Sequence, residues 1–146
     1  MSPRYRMLAT DLDGTLFSSE GGVSPGNREA IRKASSRGIP IVLCSGRAPW
    51  EGVAKLGEDL GLNYPGNYYI CCNGALLVDA ASLETLEGFY LPKDAAAKLI
   101  STAETFPERL RPGWIRMCTT GPVYYWSREP GDLTYTSRFG LEELPL

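Results

Sequence analysis

The sequence predicts an α/β fold: a parallel sheet over residues 1–90, followed by part of an α+β module over residues 91–146. Three observations point there. Strand-length apolar runs alternate with amphipathic stretches as far as residue 75. The polar clusters Asp11-Leu12-Asp13, Ser45-Gly46-Arg47 and Asn73-Gly74 each close one of those runs. Beyond residue 90 the alternation gives way to one long helical pattern and two short strand patterns.

In chain order, Tyr5 to Thr10 reads as a short buried strand that ends at the Asp13-Gly14 turn. Residues 17–26 are rich in Ser, Gly and Pro and form a loop. Ser24 offers an N-cap oxygen and Pro25 suits the first helical position; Ala30, Ile31 and Ala34 follow at helical spacing, and Gly38 ends the helix. Ile39 to Cys44 is apolar apart from Pro40, as expected of a strand buried on both faces. A second helix is expected from Pro49 to Leu60, with Trp50, Val53, Ala54 and Leu60 on one face. Gly61 closes it, and Gly52 and Gly57 weaken it. Pro65-Gly66 marks a turn and Tyr68 to Cys72 a third strand. Asn73-Gly74 turns into Ala75–Val78, with Leu86–Tyr90 as its hairpin partner. Strand–helix–strand–helix–strand builds a right-handed, Rossmann-like parallel sheet, and such sheets bind ligands at the carboxyl ends of their strands. All three polar clusters lie at those ends. In the second module Pro92–Phe106 reads as a helix with Ala96, Leu99, Ile100 and Ala103 on one side. Trp114–Thr119 and Val123–Ser127 read as antiparallel strands joined through Gly121-Pro122.

The composition narrows the chemistry. With 146 residues, 43% hydrophobic and 22% charged, the chain is long enough for a globular core. A net charge of -2 without a basic stripe gives no footprint for nucleic acid or an anionic membrane. No apolar run is long enough to span a bilayer, and the first ten residues lack a signal-peptide core, so a cytoplasmic location is expected. Cys44, Cys71, Cys72 and Cys118 show no C-x-x-C spacing, which fits buried thiols in a reducing compartment better than zinc. On a strand, Cys71 and Cys72 would point to opposite faces. Histidine is absent, which excludes Ser-His-Asp and Cys-His catalysis within this chain. Acid–base chemistry falls to carboxylates, Lys, Tyr or Cys.

Asp11 and Asp13 are the sharpest candidates. Two carboxylates two residues apart, just past a strand, can serve one site as the chain leaves the sheet. One can attack phosphorus to give an aspartyl-phosphate, and the other can protonate the leaving oxygen and later activate water. Mg²⁺ keeps several waters, so one or two carboxylates and a substrate phosphate suffice to hold it. Gly14 permits the tight exit and Thr15 adds a hydroxyl. The blander alternative is a polar strand end whose Asp residues only make a turn.

Asp-Leu-Asp-Gly-Thr-Leu at 11–16 resembles motif I of the haloacid dehalogenase superfamily. Cys-Ser-Gly-Arg at 44–47 is similar to its motif II, in which a Ser or Thr holds the phosphate. Cys-Asn-Gly-Ala at 72–75 is similar to the Asn-Gly turn of the Cof-type phosphatase branch, whose α+β cap follows the third strand. The resemblance implies part of that core over 1–90 and part of a cap over 91–146. It implies Mg²⁺ as cofactor and Asp11 as nucleophile and metal ligand. Asp13 becomes the general acid/base, its backbone carbonyl on the metal. The Ser45 hydroxyl and the Gly46 N–H would bind phosphoryl oxygens. Arg47 either contacts substrate or pairs with the scaffold. Asn73 either lines the site or only makes the hairpin turn. Arg109, Arg111, Arg116 and Arg128 either meet an anionic substrate or form a solvated face. Tyr124-Tyr125-Trp126 reads as strand packing.

The resemblance also implies two later motifs, a Lys and a Gly-Asp-x-x-x-Asp-like acidic loop, which normally follow the cap. Neither Lys93 nor Lys98 on the expected cap helix is a substitute, and Glu129-Pro130-Gly131-Asp132 lies in the wrong context. The expectation is therefore a fragment, a truncated product or one part of a split assembly. The first strand would then expose a sheet edge, open to self-association or to a complementing C-terminal portion. The expected function is a Mg²⁺-dependent phosphatase of small phosphorylated metabolites, incomplete as this chain. Alternatives are a sugar phosphomutase and a non-catalytic binding or interaction fragment.

Overall fold

A computed structural model describes residues 5–19, 21–110, 114–118, 123–127 and 142–143. The chain divides into two compact units, Met1–Phe89 and Tyr90–Leu146.

The first unit is a five-stranded sheet in the order β1-β2-β3-β4-β5, numbered along the chain. β1 (Leu8–Asp11), β2 (Ile41–Cys44) and β3 (Tyr68–Cys71) run parallel. β4 (Leu76–Asp79) and β5 (Thr85–Gly88) extend the sheet antiparallel. The reversal follows from the connection. Only a tight turn links β3 to β4, and a parallel return needs a crossover of a dozen or more residues. α1 (Pro25–Ser35) provides such a crossover between β1 and β2, and α2 (Ala54–Asp59) between β2 and β3.

β1 starts at Leu8 rather than Tyr5 and takes in Asp11 as its last residue. β2 starts after Pro40, which lacks an N–H but whose carbonyl accepts the Leu8 N–H at 2.9 Å. Ile41, Val42 and Leu43 are all buried, as a strand covered on both faces requires. Ser24 Oγ accepts the Asn27 N–H at 3.1 Å, and Pro25 opens α1. α1 turns Ile31 into a core shared with Leu12, Leu43, Val53, Leu56 and Val78.

The second expected helix is broken. Pro49–Val53 makes one wide turn in which the Ala54 N–H reaches the Pro49 carbonyl, with Gly52 at φ 93°. The Glu51 carboxylate accepts the Ala48 N–H at 2.6 Å and anchors that turn. α2 covers only the remainder. Val53 is buried, but Trp50 is exposed, so these residues do not share a core face. Asp79 closes the β4–β5 hairpin by accepting the Ala81 and Ser82 N–H groups at 2.9 and 2.8 Å. Those bonds hold its carboxyl below the usual carboxylate range, the Ser82 bond contributing most.

The second unit contains α3 (Lys93–Glu104), a short turn at Glu108–Leu110 and a sheet of β6 (Trp114–Cys118), β7 (Val123–Ser127) and β8 (Glu142–Glu143). β6 and β7 pair antiparallel; β7 and β8 pair parallel. Ile100 and Ala103 are buried on α3, whereas Leu99 is exposed. Thr119 and the Gly121-Pro122 connection lie outside the described residues. No helix among the described residues is long and apolar enough to cross a membrane.

Candidate functional site

The three polar clusters meet at the carboxyl ends of β1, β2 and β3. Asp11 ends β1 directly opposite Cys44, the last residue of β2. Beyond it Leu12–Leu16 forms a single wide turn, closed by the Phe17 N–H on the Leu12 carbonyl at 2.9 Å. Leu12 and Leu16 are buried and pin the turn to the core, which leaves Asp11 and Asp13 facing out. Gly14 sits at φ 78°, a backbone state that an L side chain adopts at a cost. The Thr15 hydroxyl lies 3.4 Å from Asp11 Oδ2, a long contact between donor and acceptor.

The second and third clusters are laced together through the backbone. The Ser45 N–H donates to the Ile70 carbonyl at 2.9 Å, the Asn73 N–H to the Ser45 carbonyl at 3.1 Å, and the Cys72 N–H to the Arg47 carbonyl at 3.0 Å. Cys72 and Asn73 adopt positive φ, 52° and 56°, to turn the chain back against the β2 loop. A Cβ on Gly46 would lie 2.8 Å from Asn73 Oδ1, so a side chain there would push the Asn73 amide aside. Ser45 is only 7% exposed, and its Oγ accepts the Arg47 N–H at 3.2 Å. A hydroxyl used as acceptor keeps its own hydrogen for an incoming oxygen.

Arg47 joins the first cluster to the second. Its Nη2 donates to Asp13 Oδ1 at 2.7 Å and its Nε to Asp13 Oδ2 at 3.1 Å. The guanidinium also stands 6.0 Å from the Phe17 ring centroid. Arg47 here pairs with the scaffold through Asp13. Asn73 likewise makes the turn and flanks Gly46.

Two neighbours escaped the sequence reading. Phe17 lay in a segment read only as loop, and cation–π geometry has no short-range sequence signal. Cys44 closes an apolar run and looks like a core thiol; burial, then the Asp11 charge, pushes it up. The Asp11–Cys44 register carries that information. Other candidates belong to the second unit. Arg109 sits in the Glu108–Leu110 turn and Arg116 on β6, both in the second unit. Tyr124, Tyr125 and Trp126 form part of β7. Arg111, Arg128 and the 129–132 acidic segment lie outside the described residues.

Among the described residues no group of three or more His, Cys, Asp and Glu side chains could enclose a metal ion. The acidic side chains at this end of the strands are those of Asp11 and Asp13. This suits an ion such as Mg²⁺, which accepts one or two carboxylates and fills its shell with water and phosphate oxygens, rather than zinc.

YxeH of Bacillus subtilis is 36% identical over 95 residues, covering 65% of this chain and 35% of that protein. The pyridoxal phosphate phosphatase YbhA of Escherichia coli is 33% identical over 95 residues, covering 65% of this chain and 34% of that one. The crystal structure of a haloacid dehalogenase-like hydrolase from Bacteroides thetaiotaomicron superposes with a TM-score of 0.70 at 25% identity. That match covers 98% of this chain and 52% of the other. The chain therefore spans about a third of the length of these curated relatives and half that of the solved structure. The haloacid dehalogenase-like hydrolase pattern matches residues 8–125, and with its motif I at the end of β1 and motif II at the end of β2, the chain belongs to that family.

Proposed function

We infer that this chain carries the nucleophile half of a phosphatase site for small phosphorylated metabolites. The carrying observation is the convergence of Asp11, the Asp13–Arg47 pair and Ser45 on one end of the parallel strands. In this reading Asp11 attacks the phosphorus of a monoester. The bond from phosphorus to the leaving oxygen breaks, and Asp13 gives that oxygen a proton. Asp13 then takes a proton from water as the water oxygen attacks the aspartyl-phosphate, which releases phosphate and restores the Asp11 carboxylate. The Ser45 hydroxyl and the Gly46 N–H hold the phosphoryl oxygens, and Asn73 keeps the Gly46 loop in place.

The Asp11 carboxylate and the Asp13 carbonyl would hold Mg²⁺, which, when bound, offsets repulsion between carboxylate and phosphate. The second unit would be the start of a cap that helps select the substrate. YbhA, by its name, acts on pyridoxal phosphate, a small phosphorylated metabolite. That substrate class and the cysteines Cys44, Cys71 and Cys72 fit a reducing, cytoplasmic setting.

The test is Mg²⁺-dependent phosphate release from an aryl phosphate by this chain and by its Asp11→Asn variant. Release by the first and its loss in the second makes Asp11 the nucleophile of a site that works without the later motifs. Equal release from both removes Asp11 as nucleophile. No release from either ends the claim that this chain turns substrate over unaided.

A further inference from the structure

We propose that Arg47 is exchanged between two anions: it pairs with Asp13 in this structure and passes to the substrate phosphate on binding, which releases Asp13 for its role. This deepens the phosphatase reading and rests on it.

Asp13 accepts Arg47 Nη2 on one oxygen at 2.7 Å and Nε on the other at 3.1 Å. Both oxygens accept from the guanidinium, so a leaving group must share them with Arg47. A residue meant to serve a substrate oxygen is held by a fork-shaped donor instead.

Nothing about this pair makes it permanent. The Arg47 side chain is 36% exposed and that of Asp13 61% exposed. Exposed ion pairs contribute little, because water competes for both partners. A phosphate dianion offers the same fork twice the charge and a matching pair of oxygens. Exchange is therefore favourable in direction and small in cost.

The backbone makes the exchange local. The Arg47 N–H is fixed on Ser45 Oγ at 3.2 Å and its carbonyl receives the Cys72 N–H at 3.0 Å. The main chain of Arg47 is thus tied to the residue that would bind phosphate, and only its side chain must swing. Both of its partners at the far end, Asp13 and Phe17, belong to the β1 loop. Arg47 ties the β1 loop to the β2 loop, and a bound phosphate would replace that tie.

Competition can be separated from simple charge repulsion by a double-mutant cycle, with inorganic phosphate as probe and NMR titration as readout. Asp13→Asn should tighten phosphate about fivefold in the presence of Arg47, the upper range for an exposed pair. In an Arg47→Gln background that gain should vanish. The Arg47 Nε–H resonance should move on Asp13→Asn substitution and again on phosphate saturation. Amide spectra of each variant report whether it is folded. A gain from Asp13→Asn that is equal or larger without Arg47 means repulsion alone and overturns the exchange. An Nε–H resonance unmoved by saturating phosphate overturns it as well. Ser45→Ala separates the two levels. If it weakens phosphate binding while the cycle shows no coupling, only the exchange fails. If the unsubstituted chain does not bind phosphate, both the exchange and the phosphatase reading fall.

Discussion

At the scale of single residues, the cost of burying polarity is clearest at Tyr69. The side chain is fully buried, and among the described residues its hydroxyl has no hydrogen-bond partner. Burial, followed by the nearby Cys71 and Asp79 charges, pushes the phenol up to about 12. A phenol that ionises near 10 when unfolded and near 12 when folded leaves stability unchanged up to the lower value and lowers it as pH rises through that window. Tyr69→Phe should remove this alkaline loss. It should also stabilise the protein at neutral pH by about 1 kcal/mol, because an unpaired buried oxygen disappears. Urea midpoints at neutral and alkaline pH read both effects, and a Phe variant that is weaker at neutral pH would mean that the hydroxyl has a partner. No pattern along the chain marks this residue. Tyr69 reads as any aromatic on a strand, whereas Asp11, Asp13, Ser45 and Gly46 are legible because their chemistry is local to short motifs.

At the scale of elements, the least legible piece was the stretch between Arg47 and Leu60. Helical spacing suggested one helix, but Gly52 at φ 93° ends the first turn and α2 begins only at Ala54. Gly57 shows the packing that follows. A Cβ there would fall 1.8 Å from Tyr69 Oη, so α2 lies against β3 at a distance only glycine allows. Gly57→Ala should cost about 1–3 kcal/mol through overpacking, despite alanine's better helix propensity. Thermal unfolding of the variant checks this; a neutral or stabilising result would show that the ring moves aside freely. In sequence, Gly57 looked like a weakness in a helix. The helix–sheet contact that explains it is a property of two elements together.

At the scale of the whole molecule, β1 stands at the end of its sheet and, among the described residues, pairs only with β2. Tyr5, Met7 and Leu8 are exposed on and beside it. An apolar edge strand offers unpaired N–H and C=O groups to another chain. Concentration-dependent self-association is the expected consequence. Leu8→Lys should shift sedimentation at high concentration toward the monomer; an unchanged profile would place any association elsewhere. The sequence by itself determined the strand–helix alternation, the motif loops at the strand ends and the family. Each of these depends on residues a few positions apart, where turn chemistry and hydrophobic period operate. Only the tertiary structure decided that Arg47 reaches Asp13, 34 residues away in the chain, and that Asn73 closes on Gly46. It alone set Tyr69 against Gly57. Those contacts depend on the register of the parallel strands and the path of the loops between them, which no local pattern encodes.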